Sequence, residues 1–163
     1  MSRLVVNDEA LVKWFLDHGA DPNLHGARNL SPLDTAAYSS TIAVIALLLE
    51  HGAKLQNSNA LHAATRRPNG IPMMAYLLDR GFDINAIEHQ YSPEYFERMK
   101  VHGFGTALHS AVRKGKKDRI QFLLDRGADR EIRSTGGKTP AQWAKRYQLD
   151  DCFEILNGSP DSV

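Results

Sequence analysis

This 163-residue chain has one cysteine, no long apolar run and almost no net charge. The single cysteine, Cys152, excludes a disulfide within the chain and fits a reducing compartment. The longest apolar run, 42–49, is far shorter than the roughly 18 residues of a membrane span. Twenty basic and 19 acidic residues nearly cancel, which argues against a general nucleic-acid binder. The start of the chain does not match a secretory signal, so we expect an intracellular protein, cytoplasmic or nuclear.

Two short motifs recur along the chain, four times each. Leu-Asp-His-Gly-Ala-Asp at 16–21 returns in variant form at 49–54, 78–83 and 124–129. Ser-Pro-Leu-Asp at 31–34 returns in variant form at 59–62, 106–109 and 139–142. The undisturbed spacings are 21 residues from the second motif to the glycine of the first, and 12 residues back again. The period is therefore 33 residues, and a fixed period of this length indicates a repeat architecture.

Each motif marks one end of a short helix. Ser31 before Pro32 is typical of a helix start, because the hydroxyl accepts from free backbone N–H groups and proline fits the first turn. The glycine of the other motif, such as Gly52, follows an apolar run at the position where a left-handed residue ends a helix. Each unit therefore predicts two helices, for example 32–38 and 41–50.

A 33-residue unit of this kind resembles the ankyrin repeat. The matching residues read Thr-Ala-Leu-His-Ser-Ala at 106–111 and Leu-Leu-Asp-Arg-Gly-Ala-Asp at 123–129. The resemblance covers nearly the whole chain and implies an all-α solenoid of four to five helix-turn-helix units with β-turn or hairpin connections and degenerate caps. It implies a single domain over 1–157, followed by a tail at 158–163 that we expect to be disordered. It also implies a protein-binding module, not an enzyme, that uses no cofactor and no metal.

The repeat pattern is disturbed at its first unit and at one turn. Residues 4–7 are expected to be the remnant of a first inner helix, and 8–17 a full outer helix. Only seven residues, instead of 12, separate Gly52 from Asn59, so the turn between those units should be clipped.

An insert of about 87–104 lengthens the next connection. Within it, 92–100 predicts a short capped helix that ends near Gly103. This helix carries bulky side chains, among them Tyr95 and Phe96, which we treat as candidate partner-binding residues. The insert either folds back over apolar surface of the repeats or forms a partner-binding finger, and the two readings are compatible.

Most of the seven histidines have a structural explanation within the repeat. The resemblance implies that His62 and His109 bond to backbone and brace the turns. His18 and His51 precede helix-ending glycines, where a cation favours the helix C-terminus. The histidines of the insert, His89 among them, lack the short ligand spacing of a zinc site.

Basic residues are concentrated in one stretch of the chain. Residues 98–146 hold 13 basic and four acidic side chains, an excess of nine positive charges. The resemblance places the ends of the inner helices on a concave surface, where several of these charges would form a basic strip with aromatic neighbours. The candidate partner-binding residues of the strip are Tyr38, Arg66, Arg67, Arg113, Lys114, Trp143 and Arg146. Arginine and aromatic side chains are common interface hot spots, and guanidinium binds carboxylate or phosphate.

Three functions remain open at this point. The first is a module that binds an acidic or phosphorylated segment of another protein on the basic strip. The second is a structural fragment of a larger ankyrin-containing protein. The third is an enzyme in which the insert covers a pocket lined by His89 and His102, and a deep polar pocket with a strongly shifted titratable group would support it.

Overall fold

Two rows of short helices make up the protein. The structure is a computed structural model that describes residues 5–26 and 29–158, so the predicted tail from 159 onward lies outside the described residues. The α-helices are α1 (Glu9–Asp17), α2 (Pro32–Ser39), α3 (Ile42–Glu50), α4 (Ala60–Arg66), α5 (Ile71–Asp79), α6 (Pro93–Met99), α7 (Ala107–Arg113), α8 (Lys117–Asp125), α9 (Pro140–Arg146) and α10 (Asp150–Asn157). Short 3-10 helices are formed by Val5–Asn7, Leu55–Asn57 and Lys100–His102.

The inner helices stack in the order α2, α4, α7 and α9. Each of them packs against the outer helix that follows it, namely α3, α5, α8 or α10. The first unit has α1 as its outer helix and Val5–Asn7, which packs on α2, in the inner row. This arrangement confirms the predicted all-α ankyrin-type solenoid, and the remnant inner helix is described from Val5 onward.

The two motifs set the helix ends as the sequence predicts. The side-chain oxygens of Ser31, Thr106 and Thr139 each accept a backbone N–H three residues further on, and all three positions form reciprocal capping boxes. The glycines that follow α1, α3, α5 and α8 have φ angles of 84°, 87°, 87° and 85°. A side chain is strained in this left-handed region, which explains why glycine recurs there.

Small and aliphatic side chains form the contacts between units. Ala36, Ala64 and Ala111 on the inner helices are fully buried, which lets neighbouring inner helices approach closely. Leu48, Leu77 and Leu123 lie on the outer helices and are fully buried as well. Complete burial of one such leucine stabilises the folded state by about 1.5–3 kcal/mol.

The disturbed connections are ordered. The clipped turn after α3 is a single 3-10 turn, Leu55–Asn57. The insert forms α6 and the 3-10 helix Lys100–His102, and Gly103 ends it in the left-handed region at φ 77°. Among the residues that the structure describes, no helix is both long and apolar enough to cross a membrane.

Candidate protein-binding face

Three exposed cations lie at the adjoining C-terminal ends of two inner helices. Arg113 is the last residue of α7, Lys114 is its C-cap, and Arg146 is the last residue of α9. All three side chains are exposed, and α7 packs directly against α9. The partial negative charge at a helix C-terminus favours cations at these positions. All three belong to the predicted basic strip, and that name is kept for these three residues from here on; their contact with a partner stays a prediction.

Trp143 is a buried aromatic residue next to Arg113 of the basic strip. Its side chain is 8% exposed, and its ring makes edge contacts with His109 at 5.0 Å and with Tyr147 at 5.9 Å between ring centroids. The Arg113 guanidinium carbon lies 6.0 Å from the centroid of the Trp143 ring. The indole is therefore packed into the C-terminal unit next to Arg113, and direct contact between Trp143 and a partner stays a prediction.

Arg66 and Arg67 are also engaged inside the protein. Arg66 Nη1 donates to Glu88 Oε1 at 2.6 Å, and the two side chains are 22% and 12% exposed. Arg67 Nη1 donates to the carbonyl oxygens of Ala37 and Ser40 at 3.1 and 3.0 Å. One guanidinium thus pairs with the insert and the other binds the end of α2, and the prediction that these two arginines contact a partner stays a prediction.

Two tyrosines near the ends of inner helices are exposed. Tyr38, near the end of α2, is 40% exposed as predicted for a surface position. Tyr147 is the C-cap of α9, follows Arg146 directly and is 44% exposed. The repeat register also places Tyr147 on the concave surface, although it is not among the candidate partner-binding residues.

The bulky residues of the insert pack against each other. The His89 ring lies 4.7 Å from the Tyr95 ring and 4.9 Å from the Phe104 ring, and Phe96 lies 5.9 Å from Phe104. Tyr95 and Phe96 remain half-exposed. The fold-back interpretation of the insert thus accounts for one side of α6, while the other side faces solvent.

Polar contacts fix the insert to the repeats on both sides of it. Asn59 at the start of α4 donates from Nδ2 to His89 Nδ1 at 3.1 Å and accepts the His89 backbone N–H. On the other side, the backbone N–H of Thr135 donates to the Phe104 carbonyl at 2.7 Å, and the Phe104 N–H donates to Thr135 Oγ1 at 2.8 Å. The insert is therefore a structural part of the solenoid.

Histidines brace the turns, as the resemblance implies. His62 Nε2 donates to the Gly105 carbonyl at 3.1 Å, and His109 Nε2 donates to the Lys138 carbonyl at 2.9 Å. Burial lowers the pKa of His62 to about 4, and burial also lowers the pKa of His109. Both rings are therefore neutral near pH 7.

The ion pair between Arg66 of α4 and Glu88 of the insert affects the pKa of Glu88. Burial alone would raise the pKa of Glu88. The charge that His62 carries at acidic pH, the charge of Arg66 and the hydrogen bond from Arg66 outweigh this effect and lower the pKa to about 2. Glu88 is therefore an ionised, paired carboxylate at neutral pH. An ion pair between the insert and α4 accounts for this shift without any catalytic role.

The two histidines of the enzyme hypothesis do not converge. His89 is 8% exposed and bonded to Asn59, whereas His102 lies exposed in the 3-10 helix after α6. The open cleft beside α6, about 770 Å³, is lined instead by side chains such as Asn29, Ser92 and Arg98. Over 5–26 and 29–158, no three His, Cys, Asp or Glu side chains are grouped so that they could hold a metal ion.

Comparison with known proteins identifies the repeat. A family model described as ankyrin repeats in three copies matches residues 3–88, and a single ankyrin-repeat model matches residues 105–135. The human SH3 and multiple ankyrin repeat domains protein 2 is 27% identical over 86% of this chain and 9% of its own length. The human transient receptor potential cation channel subfamily A member 1 is 27% identical over 72% of this chain and 13% of its own length.

A third relative, Ankyrin repeat and SOCS box protein 11 of Danio rerio, is 31% identical over 68% of this chain and 34% of its own length. The chain thus spans about a third or less of each of these relatives. The matched repeats cover more than half of the chain and contain the outer helix α1 and the helix pairs from α2 to α5 and of α7 with α8. The chain therefore belongs to the ankyrin-repeat family, whose repeats bind other proteins.

Proposed function

We propose that this protein is a non-catalytic binding module that recognises an acidic or phosphorylated segment of another protein on the basic strip. The observation that carries the proposal is the cluster of Arg113, Lys114 and Arg146 at the joined ends of α7 and α9. Guanidinium groups bind carboxylate and phosphate through paired hydrogen bonds, and such bonds are stronger than those between neutral groups.

The surroundings of the basic strip support the same proposal. Trp143 lies beneath Arg113 and restricts its side chain, which lowers the entropy lost when the guanidinium binds a partner. Tyr147 offers an exposed ring next to Arg146. A rigid aromatic beside an arginine is a typical composition of an interface hot spot.

The test is partner capture with variants of the basic strip. The immobilised protein is incubated with lysate from its source organism, and retained proteins are identified by mass spectrometry. The test variant carries Arg113→Glu, Lys114→Glu and Arg146→Glu. The matched control reverses three exposed cations elsewhere, at Lys13, Lys54 and Arg80.

The outcomes separate the candidate surfaces. We expect a partner that is retained by the wild type and by the control variant, lost by the test variant, and released by phosphatase treatment or by added salt. Circular dichroism checks that both variants are folded. A partner retained equally by all three proteins would contradict the proposal and direct attention to α6, where Tyr95 and Phe96 are partly exposed.

A further inference from the structure

A small cavity lies where the clipped turn after α3 meets the turn after α5. Its volume is about 170 Å³, and its lining includes Leu61, His62 and Phe82. Leu61 and His62 are 2% and 3% exposed, whereas Gln56 and Asp83 of the same lining are exposed. The first two residues therefore lie at the inner end of the cavity and the other two at its mouth. We call this space the turn cavity.

The His62 ring has one nitrogen without a hydrogen-bond partner among the described residues. Nε2 donates to the Gly105 carbonyl at 3.1 Å, so the ring proton lies there and Nδ1 holds a lone pair. Burial lowers the pKa of His62 to about 4, so the ring is neutral at pH 7. A buried acceptor without a donor is unfavourable, and the turn cavity therefore favours a group that brings a donor to Nδ1.

The N-cap of α4 explains why this nitrogen is unbonded. In the equivalent unit the backbone N–H of Thr106, the N-cap of α7, donates to His109 Nδ1 at 3.1 Å and closes a capping box. Asn59 is the N-cap of α4, but its backbone N–H donates to Asp34 Oδ1 in the preceding unit, and no side-chain capping bond forms. The donor that His62 would receive from its own unit is used elsewhere.

The rest of the lining suits an aromatic ring that carries a hydroxyl group. Leu55, Leu61, Phe82 and Ala86 supply apolar surface. A cavity of about 150 Å³ is large enough for benzene. Ser58 is 6% exposed and its Oγ accepts a backbone N–H, while none of the described residues accepts its proton. The turn cavity thus has room for one ring, with an acceptor and a donor for one hydroxyl.

We propose that the turn cavity is a binding site for a hydroxyphenyl group, supplied by a free phenol or by a tyrosine side chain of a partner. The hydroxyl donates to His62 Nδ1 and accepts from Ser58, and the ring packs on the apolar lining. Among the described residues that line the cavity there is no lysine or arginine, so an anion is not favoured there. None of the three residues of the basic strip lines the cavity, so this site does not rest on the proposed function.

The test compares phenol with anisole, which has the same ring and an oxygen but no proton to donate. Titrations at pH 7 are followed by NMR through the nitrogen chemical shifts of the histidine rings, and His62→Gln assigns the His62 signals. We expect phenol to bind at least about tenfold more tightly than anisole, because the buried acceptor gains a donor. Phenol should move the His62 Nδ1 signal, whereas both nitrogens of His109, which are already bonded, should stay in place.

A filled cavity supplies the test variant. Ala86→Phe places a ring in the turn cavity and leaves His62 unchanged. The matched control is Ile132→Phe, because Ile132 follows Gly127 by five residues as Ala86 follows Gly81, and both positions are half-buried. Circular dichroism and urea unfolding check that both variants are folded. We expect Ala86→Phe to abolish phenol binding and Ile132→Phe to leave it unchanged.

Three results would overturn the proposal. They are equal binding of phenol and anisole, a His62 Nδ1 signal that phenol does not move, and phenol binding that persists in folded Ala86→Phe. Equal binding would mean that water already satisfies His62 Nδ1, and the first two results do not require the filled variant to fold. A third probe, N-acetyltyrosinamide, separates the two sources: tighter binding than phenol assigns the site to a tyrosine of a partner, weaker binding assigns it to a free phenol, and either supports the proposal.

Discussion

Replacing Arg66 by methionine tests whether the insert is held by a charged pair. The change removes the guanidinium and leaves Glu88 with a side chain only 12% exposed. Removing one member of a fully buried pair costs about 3–5 kcal/mol, because the remaining charge is left unpaired. The Arg66 side chain is 22% exposed, so water reaches part of the site, and we expect Arg66→Met to lower the free energy of unfolding by about 2–3 kcal/mol.

A double-mutant cycle isolates the pair itself. Arg66→Met, Glu88→Gln and the double variant are compared by urea unfolding monitored with circular dichroism, and the double variant should recover about 1–2 kcal/mol of the summed losses. Hydrogen exchange over 87–104 should accelerate in Arg66→Met, because the ion pair ties this segment to α4.

The same variants distinguish a structural Arg66 from a binding one. Arg66→Met should still capture the partner that the reversal of the basic strip loses. A loss of stability below about 0.5 kcal/mol together with a loss of capture would refute the reasoning, because Arg66 would then act on the partner and not on Glu88.

Three further predictions follow from single residues. Because burial lowers the pKa of His62 to about 4, the unfolded chain binds the proton first, so stability is full above pH 6.5 and falls by about 3 kcal/mol as pH drops toward 4. Urea unfolding at several pH values should show this slope flattened in His62→Gln, and an unchanged slope would contradict the assignment. Gly127→Ala should cost about 1 kcal/mol in thermal unfolding because φ is 85°, whereas Gly136→Ala, which has room for a Cβ, should cost nothing measurable. Cys152 is 2% exposed and burial raises its thiol pKa, so a thiol reagent should label it slowly until urea is added, and rapid labelling of the native protein would be the contrary result.

The helix-start and helix-end motifs in the sequence were sufficient to predict the fold. A capping Ser or Thr and a helix-ending glycine act through backbone hydrogen bonds and φ angles within a few residues, so their spacing predicted the helix pairs and their order. The positions of Arg113, Lys114 and Arg146 followed from the same register, since the end of each inner helix repeats with the period.

The roles of other candidate residues depended on contacts that the period does not encode. Arg66 pairs with Glu88, which belongs to the insert and has no equivalent in a regular unit. Arg67 reaches back to carbonyl oxygens at the end of α2. Trp143 is packed in the C-terminal unit because its edge meets His109 and Tyr147. Sequence periodicity identified the helix positions, but these long-range contacts decided which side chains stay available to a partner.

The most direct test of the central claim is the hydrogen-exchange footprint of the complex with the captured partner. Slower exchange is expected at the ends of α7 and α9 and in the loops that follow them, with exchange in the outer helices α3, α5, α8 and α10 unchanged. Protection confined to the insert or to α1, while α7 and α9 exchange as in the free protein, would contradict it.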